Sequence, residues 1–280
     1  MQDPTPTLWL VATPIGNRGD LAPRAVEVLR SVAAIACEDT RHSRPLLAAF
    51  GIERPLVAYH EHNEREATPK LVARLSAGES IALIADAGTP LVSDPGWRLV
   101  DATRAAGIRV SAVPGPCAAI VALTLSGLPT DRFAFEGFLP AKAAARRARL
   151  DALAGESRTQ VFYEARHRIV ECLADLASTF GSTRRAVVAR ELTKLHETVY
   201  AGTLAELGER IGACADDQLG EFVVVVEGLP EDAAADAARL AEGRRLYRAL
   251  AKELKPSAAA RIAAEISGAP RRALYGEAAE

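Results

Sequence analysis

Long apolar runs are missing from this 280-residue sequence: none reaches the roughly 18 residues that a membrane-spanning helix needs. The opening segment MQDPTPTLWLVATPIGN has no basic n-region, and proline and glycine interrupt it before a signal-peptide apolar stretch can form, so the expected location is the cytoplasm. Cysteine is scarce. Cys37, Cys117, Cys172 and Cys214 are scattered, without a CxxC or other metal-ligand spacing, which argues against redox chemistry and predicts buried free thiols. Excess charge of either sign is lacking too, since 34 basic and 36 acidic residues give a formal net charge of −2. Such a chain does not coat nucleic acid indiscriminately, and any nucleic-acid partner has to be met by a local basic patch. What is present is an ordinary globular composition, 49% hydrophobic and 25% charged, at a length that suggests about two domains.

Through the first part, short apolar runs alternate with amphipathic stretches. LWLVA (8–12), AAIAC (33–37), SIALIA (80–85) and IRVSAV (108–113) predict strands, and 20–31, 40–50, 66–77 and 95–106 carry helical spacing. That alternation predicts an α/β unit with a parallel sheet over 1–115. A second α/β unit is expected over 116–229. It has a small-residue helix at 117–127 and strands at 133–139, 159–165, 184–191, 197–202 and 221–228. The short link between 184–191 and 197–202 predicts a mixed sheet. From 230 to 280 the composition turns to Ala, Arg and Lys, and two or three helices are expected, one opened by Pro256-Ser257. Nine basic residues against three glutamates between Arg239 and Tyr275 fit either a solvated helical face or an RNA-facing appendage.

Three glycine- and proline-rich loops, TPIGNRGD (13–20), ADAGTPLVSDPG (85–96) and VPGPCAA (113–119), each follow a predicted strand. In an open parallel sheet, ligands bind beyond the carboxyl ends of the strands, so three such loops outline a pocket. It is not a nucleotide-phosphate site, because GxxxxGK[ST] is absent and no GxGxxG opens the first helix. A serine hydrolase is disfavoured by the lack of a GxSxG elbow. His60-Glu61-His62 gathers ligand-type side chains without an HExxH helix or a later cysteine pair, so no metal is expected, and His60 and His62 read as polar contacts to substrate.

The segments LVATPIGNRGDLAPRAVEVL, AIACEDTRHSRPLLAAFGI, YHEHNE, ADAGTPLVSDPGWRLV, VPGPCAAIVAL, SGLPTDRFAFEGFLPAK, RELTKLHETVYAGTL and GEFVVVVEG occur in this order over residues 7–228. They resemble the bacterial methyltransferases that modify the ribose 2′-hydroxyl of cytidine 1402 in 16S rRNA, a group within the tetrapyrrole (precorrin/corrin) methylase superfamily. The resemblance implies two α/β domains with S-adenosylmethionine (SAM) in the cleft between them, a homodimer, and 16S rRNA, within the 30S subunit, as substrate. Carried over by position, it puts the cofactor against Pro14, Asp86, Ala87, Gly88 and Thr89, and Cys117 and Ala118, with Glu164, Leu192 and Thr193 contributing from the second domain. Tetrapyrrole enzymes usually carry a GxGPGD-type first loop and a GDP-type second loop. This chain has Thr-Pro-Ile-Gly-Asn and Asp-Ala-Gly-Thr-Pro instead, which favours RNA over a corrinoid.

A ribose hydroxyl is a weak nucleophile at neutral pH, so a positioned base or cation is expected near the methyl group. Two clusters qualify. In Cys37-Glu38-Asp39-Thr40-Arg41-His42, Glu38 or Asp39 is suited to accept a proton and Arg41 to hold phosphate, while Asp39 or Thr40 equally suits a helix cap. In the other, Glu191 beside Arg190 pairs with Lys194, either to activate the hydroxyl or as an ordinary ion pair. The spacing does not choose between them. For RNA, Lys142, Arg146, Arg147 and Arg149 form a basic stretch, Arg166 opens a second after 159–165, and Arg18 sits in the first loop. Tyr59 and Tyr163 are candidates for base stacking or for the core.

Overall fold

A computed structural model describes residues 5–274. The first sheet is formed by β1 (Thr7–Val11), β2 (Ala34–Cys37), β3 (Leu56–Ala58), β4 (Ile81–Ile84) and β5 (Arg109–Val113), in spatial order β3-β2-β4-β1-β5. All its pairings are parallel, as the alternation predicts. Crossovers run through α1 (Pro23–Ser31), α2 (Thr40–Ala49), α3 (Glu64–Ser76) and α4 (Trp97–Ala105). Because helices cover both faces, β2 and β4 are buried at every residue, which is why they read as unbroken apolar runs. Val11, Ile35, Ala82 and Ile84 pack on one face and Leu8, Ala36, Ile81 and Leu83 on the other. The edge strand β3 has no counterpart among the predicted strands. It is only three residues long, and its residues are half-buried or exposed, so it lacks a periodic signal.

After α5 (Ala118–Leu125) the second sheet comprises β6 (Phe133–Phe138), β7 (Thr159–Ala165), β8 (Arg185–Arg190), β9 (Thr198–Thr203) and β10 (Glu221–Val226), in order β6-β7-β10-β8-β9. It is mixed: β6 and β7 are parallel and the other pairings antiparallel. Along β10, Phe222, Val224 and Val226 enter a core with α6 (Ala143–Leu153), α7 (Ile169–Phe180) and α8 (Leu204–Ala213), while Val223 and Val225 face α5. This second cluster also takes in Ile15 from the loop after β1 and Leu192 from the loop after β8. One apolar seam therefore gathers loops from both sheets.

The chain ends in α9 (Glu231–Leu250), α10 (Pro256–Ser267) and a short 3-10 turn at Arg271–Leu274, around a core of Tyr247, Ala259, Ala260, Ala263, Ala269 and Leu274. Pro256 occupies the first turn of α10, and Gly268 ends the helix at φ 72°, a conformation glycine adopts without penalty. The outer ends of the expected first and third units, residues 1–4 and 275–280 with Tyr275, lie outside the described residues. Among those residues, no helix is long and apolar enough to cross a membrane. Cys37 and Cys172 are buried free thiols as expected, but Cys117 is half-buried and Cys214 is exposed.

Candidate active site

The three glycine-rich loops meet beyond the carboxyl ends of β1, β4 and β5 and are tied to one another. Thr13 and Gly88 exchange backbone hydrogen bonds of 2.9 and 3.1 Å, and the Thr13 hydroxyl donates to the Ala85 carbonyl at 3.1 Å. Thr89 Oγ1 donates to the Pro116 carbonyl at 2.9 Å, joining the second loop to the third. A methyl group placed on Gly115 would lie 2.9 Å from Ala12 Cβ, so the third loop is packed against the first. Gly88 takes φ +84°, where a side chain is strained, and its missing Cβ would lie 3.2 Å from Ile15 Cγ2.

Above these loops lies a cleft of about 420 Å3, within the range of small-molecule and cofactor sites. Asp86, Ala87, Gly88 and Thr89 form one wall, continuing to Val92, Ser93 and Asp94. Cys117 and Ala118 sit at the head of α5. The second sheet supplies Phe138, Tyr163 to Ala165, Leu192 and Glu221 to Val223. Of the cofactor contacts implied by the resemblance, Asp86, Ala87, Gly88, Thr89, Cys117, Ala118, Glu164 and Leu192 thus line one cavity. Pro14 and Thr193 do not: Pro14 is buried within the first loop, and Thr193 Oγ1 accepts the Asn17 N–H at 3.2 Å, linking the two sheets' loops.

Carboxylates crowd the mouth. Asp86 Oδ1 accepts the Asp39 N–H at 3.2 Å, and Glu164 is buried against Arg168, whose Nη2 donates to Glu164 Oε2 at 3.2 Å. Burial pushes the Asp94 carboxyl up to about 6, reinforced by the nearby charges of Glu38 and Asp86. Partial burial and Asp86 raise Glu38 as well, against the influence of His60. Asp39 is a different case: its side chain accepts the Arg41 N–H at 2.8 Å as the cap of α2 and pairs with Arg41 Nη2 at 2.7 Å. These bonds hold it well below the usual carboxylate range, so Asp39 and Arg41 are engaged with each other. At the opposite rim Lys194 Nζ bridges Glu191 (2.8 Å) and Glu221 (3.0 Å). Although burial opposes both charges, these hydrogen bonds lower Glu191 and raise Lys194, keeping the pair ionised. A methyl on Gly16 would collide with Lys194 Cγ, so this cluster braces the first loop.

The basic stretch divides. Arg146 is 1% exposed, with Nε donating to Asp175 Oδ2 at 2.6 Å and Nη2 to Glu171 at 3.3 Å, and so is not available to a phosphate as the sequence suggested. Arg147 reaches Asp175 at 3.5 Å from an exposed position, and Arg149 reaches Glu136 at 2.5 Å. Lys142, Arg166 and Arg18 are exposed. His60 is half-buried and His62 exposed, their rings 6.1 Å apart, and among the described residues no three His, Cys, Asp or Glu side chains converge as metal ligands. Tyr59 is fully buried, with its hydroxyl on Thr68 Oγ1 at 2.9 Å, and belongs to the core, whereas Tyr163 faces the cleft. Sequence reasoning missed Asp94 and Phe138 as cleft residues, although both stand inside the quoted motifs ADAGTPLVSDPGWRLV and SGLPTDRFAFEGFLPAK.

The sequence model of the Tetrapyrrole (Corrin/Porphyrin) Methylases matches residues 7–208, which contain all three loops and most of the second sheet. The chain belongs to this family. This methylase is 61% identical over 270 residues to the ribosomal RNA small subunit methyltransferase I of Xylella fastidiosa, spanning 96% of this chain and 98% of that one. It is 54% identical to the protein of the same name from Pseudomonas aeruginosa, over 97% and 96% of the two chains. Its last residues, 237–280, match the model described as the RsmI C-terminal HTH domain. Solved structures share the methylase fold: a Thermus thermophilus uroporphyrin-III-C-methyltransferase (TM-score 0.57, 23% identity, 79% of this chain and 94% of that) and a diphthine synthase (TM-score 0.58, 14% identity, 79% and 89%).

Proposed function

We propose that this methylase transfers a methyl group from SAM to the ribose 2′-hydroxyl of cytidine 1402 in 16S rRNA, acting in the cytoplasm as a homodimer on RNA held in the 30S subunit. The observation that carries this reading is the near full-length identity to proteins named ribosomal RNA small subunit methyltransferase I. The assignment divides the chain into units at 1–115, 116–229 and 230–280, with the cleft between the first two and the last contacting RNA.

The cleft suits SAM. Gly88 lines the cleft without a side chain, Gly115 lets the third loop pack on Ala12, and Ala87, Cys117 and Ala118 leave room for adenine and the methionine moiety. When bound, SAM supplies an electrophilic methyl on a sulfonium, which the ribose oxygen attacks in line. The protein's part is to hold that oxygen in place and to take its proton. Asp94 is assigned the proton. It lines the cleft, has a raised affinity for protons, and is not tied up by a guanidinium as Asp39 and Glu164 are. Lys142 and Arg166, in the segments that leave β6 and β7, are assigned to backbone phosphate.

The reading is tested with radiolabelled SAM and, separately, undermodified 30S subunits, deproteinised 16S rRNA and a precorrin-type substrate. Label in a ribose-methylated cytidine supports it, and label in the precorrin alone overturns it. Gly88→Ala should weaken SAM binding about tenfold, because the free loop relaxes to escape the roughly 1–2 kcal/mol that a side chain costs at φ +84°, and binding has to restore that conformation. Calorimetry measures this, with unchanged circular dichroism showing that the fold is retained. Lys142→Ala combined with Arg166→Ala should weaken RNA binding and flatten its salt dependence, by about one unit of log–log slope for each lost phosphate contact. An unchanged slope assigns both to solvent.

A further inference from the structure

We propose that Phe138 is the stacking platform for the base of the nucleotide whose ribose is methylated, an inference that rests on the RNA methyltransferase reading above. A large apolar side chain at the wall of a polar-rimmed cleft normally turns inward, yet Phe138 is 55% exposed and lines the cavity. The fold uses a backbone irregularity to put it there. Along the parallel β6–β7 ladder, Phe135 pairs with Val161, but the next pair is Gly137 with Phe162, so one extra residue, Glu136, is inserted. Gly137 takes φ +64°, which glycine tolerates and other residues resist. Bulges are uncommon in parallel pairs, and they re-aim side chains.

The consequence follows from the two-residue period of a strand. With a continuous ladder, Phe138 would oppose Glu164 and share its face with Phe162, inside the core that packs on α6 and α7. The bulge moves it opposite Tyr163, on the cleft face with Val161, and sends Leu139 into that core instead. Phe138 is then held in orientation rather than left loose. Its ring meets Tyr163 edge-on at 5.5 Å, Tyr163 meets Phe135 edge-on at 4.9 Å, and the Tyr163 hydroxyl accepts the Ala119 N–H at 3.2 Å.

The surroundings choose the occupant. Asp86 and Asp94 on its wall, with the charge of Glu38 near Asp94, make this part of the cleft repel phosphate, so the piece of RNA that enters beside them is a ribose and its base. Lys142 and Arg166, in segments that leave β6 and β7 at the same end of the sheet, stand outside to meet the backbone. An unstacked base needs an aromatic face to replace its lost neighbours, and Phe138 offers one in the same cleft as the assigned proton acceptor, with the adjacent Gly137 set against Ser93.

The test uses the full-length protein with undermodified 30S subunits and labelled SAM. Phe138→Ala should lower kcat/KM for the 30S substrate by roughly 5- to 100-fold, the kinetic equivalent of one lost base–aromatic stack. SAM affinity by calorimetry and the melting temperature should be unchanged. Phe138→Trp should restore the rate, and Phe138→Leu, which keeps bulk without a π-face, should not. The proposal is overturned if the alanine variant keeps its full kcat/KM, if SAM affinity falls in parallel, or if leucine rescues as well as tryptophan. Absence of label with the wild-type enzyme would overturn the RNA reading and this inference together; normal wild-type labelling with an unaffected alanine variant overturns this inference alone.

Discussion

Asp94→Asn should lower kcat by roughly a hundred- to ten-thousand-fold, the range that a positioned proton acceptor contributes, while SAM affinity stays near wild type. The amide keeps the shape of the carboxyl and cannot take a proton. In the wild-type enzyme, kcat/KM should fall about tenfold for each pH unit below about 6, because protonated Asp94 is inactive. The variant's residual activity should be flat across that limb. Stability should move the other way. The Asp94 pKa is raised in the folded protein, so folding favours its protonated form: that contribution is full below the unfolded value near 4 and is lost as pH rises through about 6. At pH 7 the ionised carboxylate therefore destabilises the fold by up to about 3 kcal/mol, and the asparagine variant should melt higher than wild type. A variant that loses activity and melts lower would place Asp94 in a structural role. A variant with an unchanged pH profile would return the assignment to Glu38, whose carboxyl is raised by the same neighbours.

The strands that cross the interior were legible because burial on both faces leaves an unbroken apolar run: AIAC in β2, IALI in β4 and FVVVV in β10. The three loops were legible because proline and glycine mark chain reversals after each such run. Neither signal reaches β3, where three half-buried or exposed residues at an edge carry no period. Charge was harder to read than apolarity. Asp39 and Arg41 look the same in sequence whether they face a substrate or each other, and only the 2.7 Å pair at the start of α2 decides. Asp94 and Phe138 were hidden for a different reason. The first depends on burial in the assembled cleft and on Glu38 and Asp86, which follow β2 and β4, and the second on a bulge whose single inserted residue reverses the face of everything after it. Such facts are properties of strand pairing, and local periodicity does not contain them.

Arg146 carries the largest expected effect on stability. Arg146→Ala should destabilise the protein by about 3 kcal/mol, because the buried guanidinium holds Asp175, itself largely shielded from water, at 2.6 Å. The cost falls at the lower end for a broken buried pair, since Asp175 retains Arg147 at 3.5 Å and Glu171 is already exposed. Arg149→Ala should cost less, about 1 kcal/mol, because Arg149 reaches the largely shielded Glu136 from a half-exposed position. Chemical denaturation of the two variants separates them, and salt titration of RNA binding completes the comparison. Arg146→Ala, assayed where it remains folded, should leave the slope of log affinity against log salt unchanged, because no counterion is released from a guanidinium that never meets the phosphate. A reduced slope in that variant would mean that α6 turns Arg146 outward on binding. The buried Arg146–Asp175 pair, with the exposed Glu171 beside it, would then be a reserve of positive charge for RNA rather than a clamp between α6 and α7.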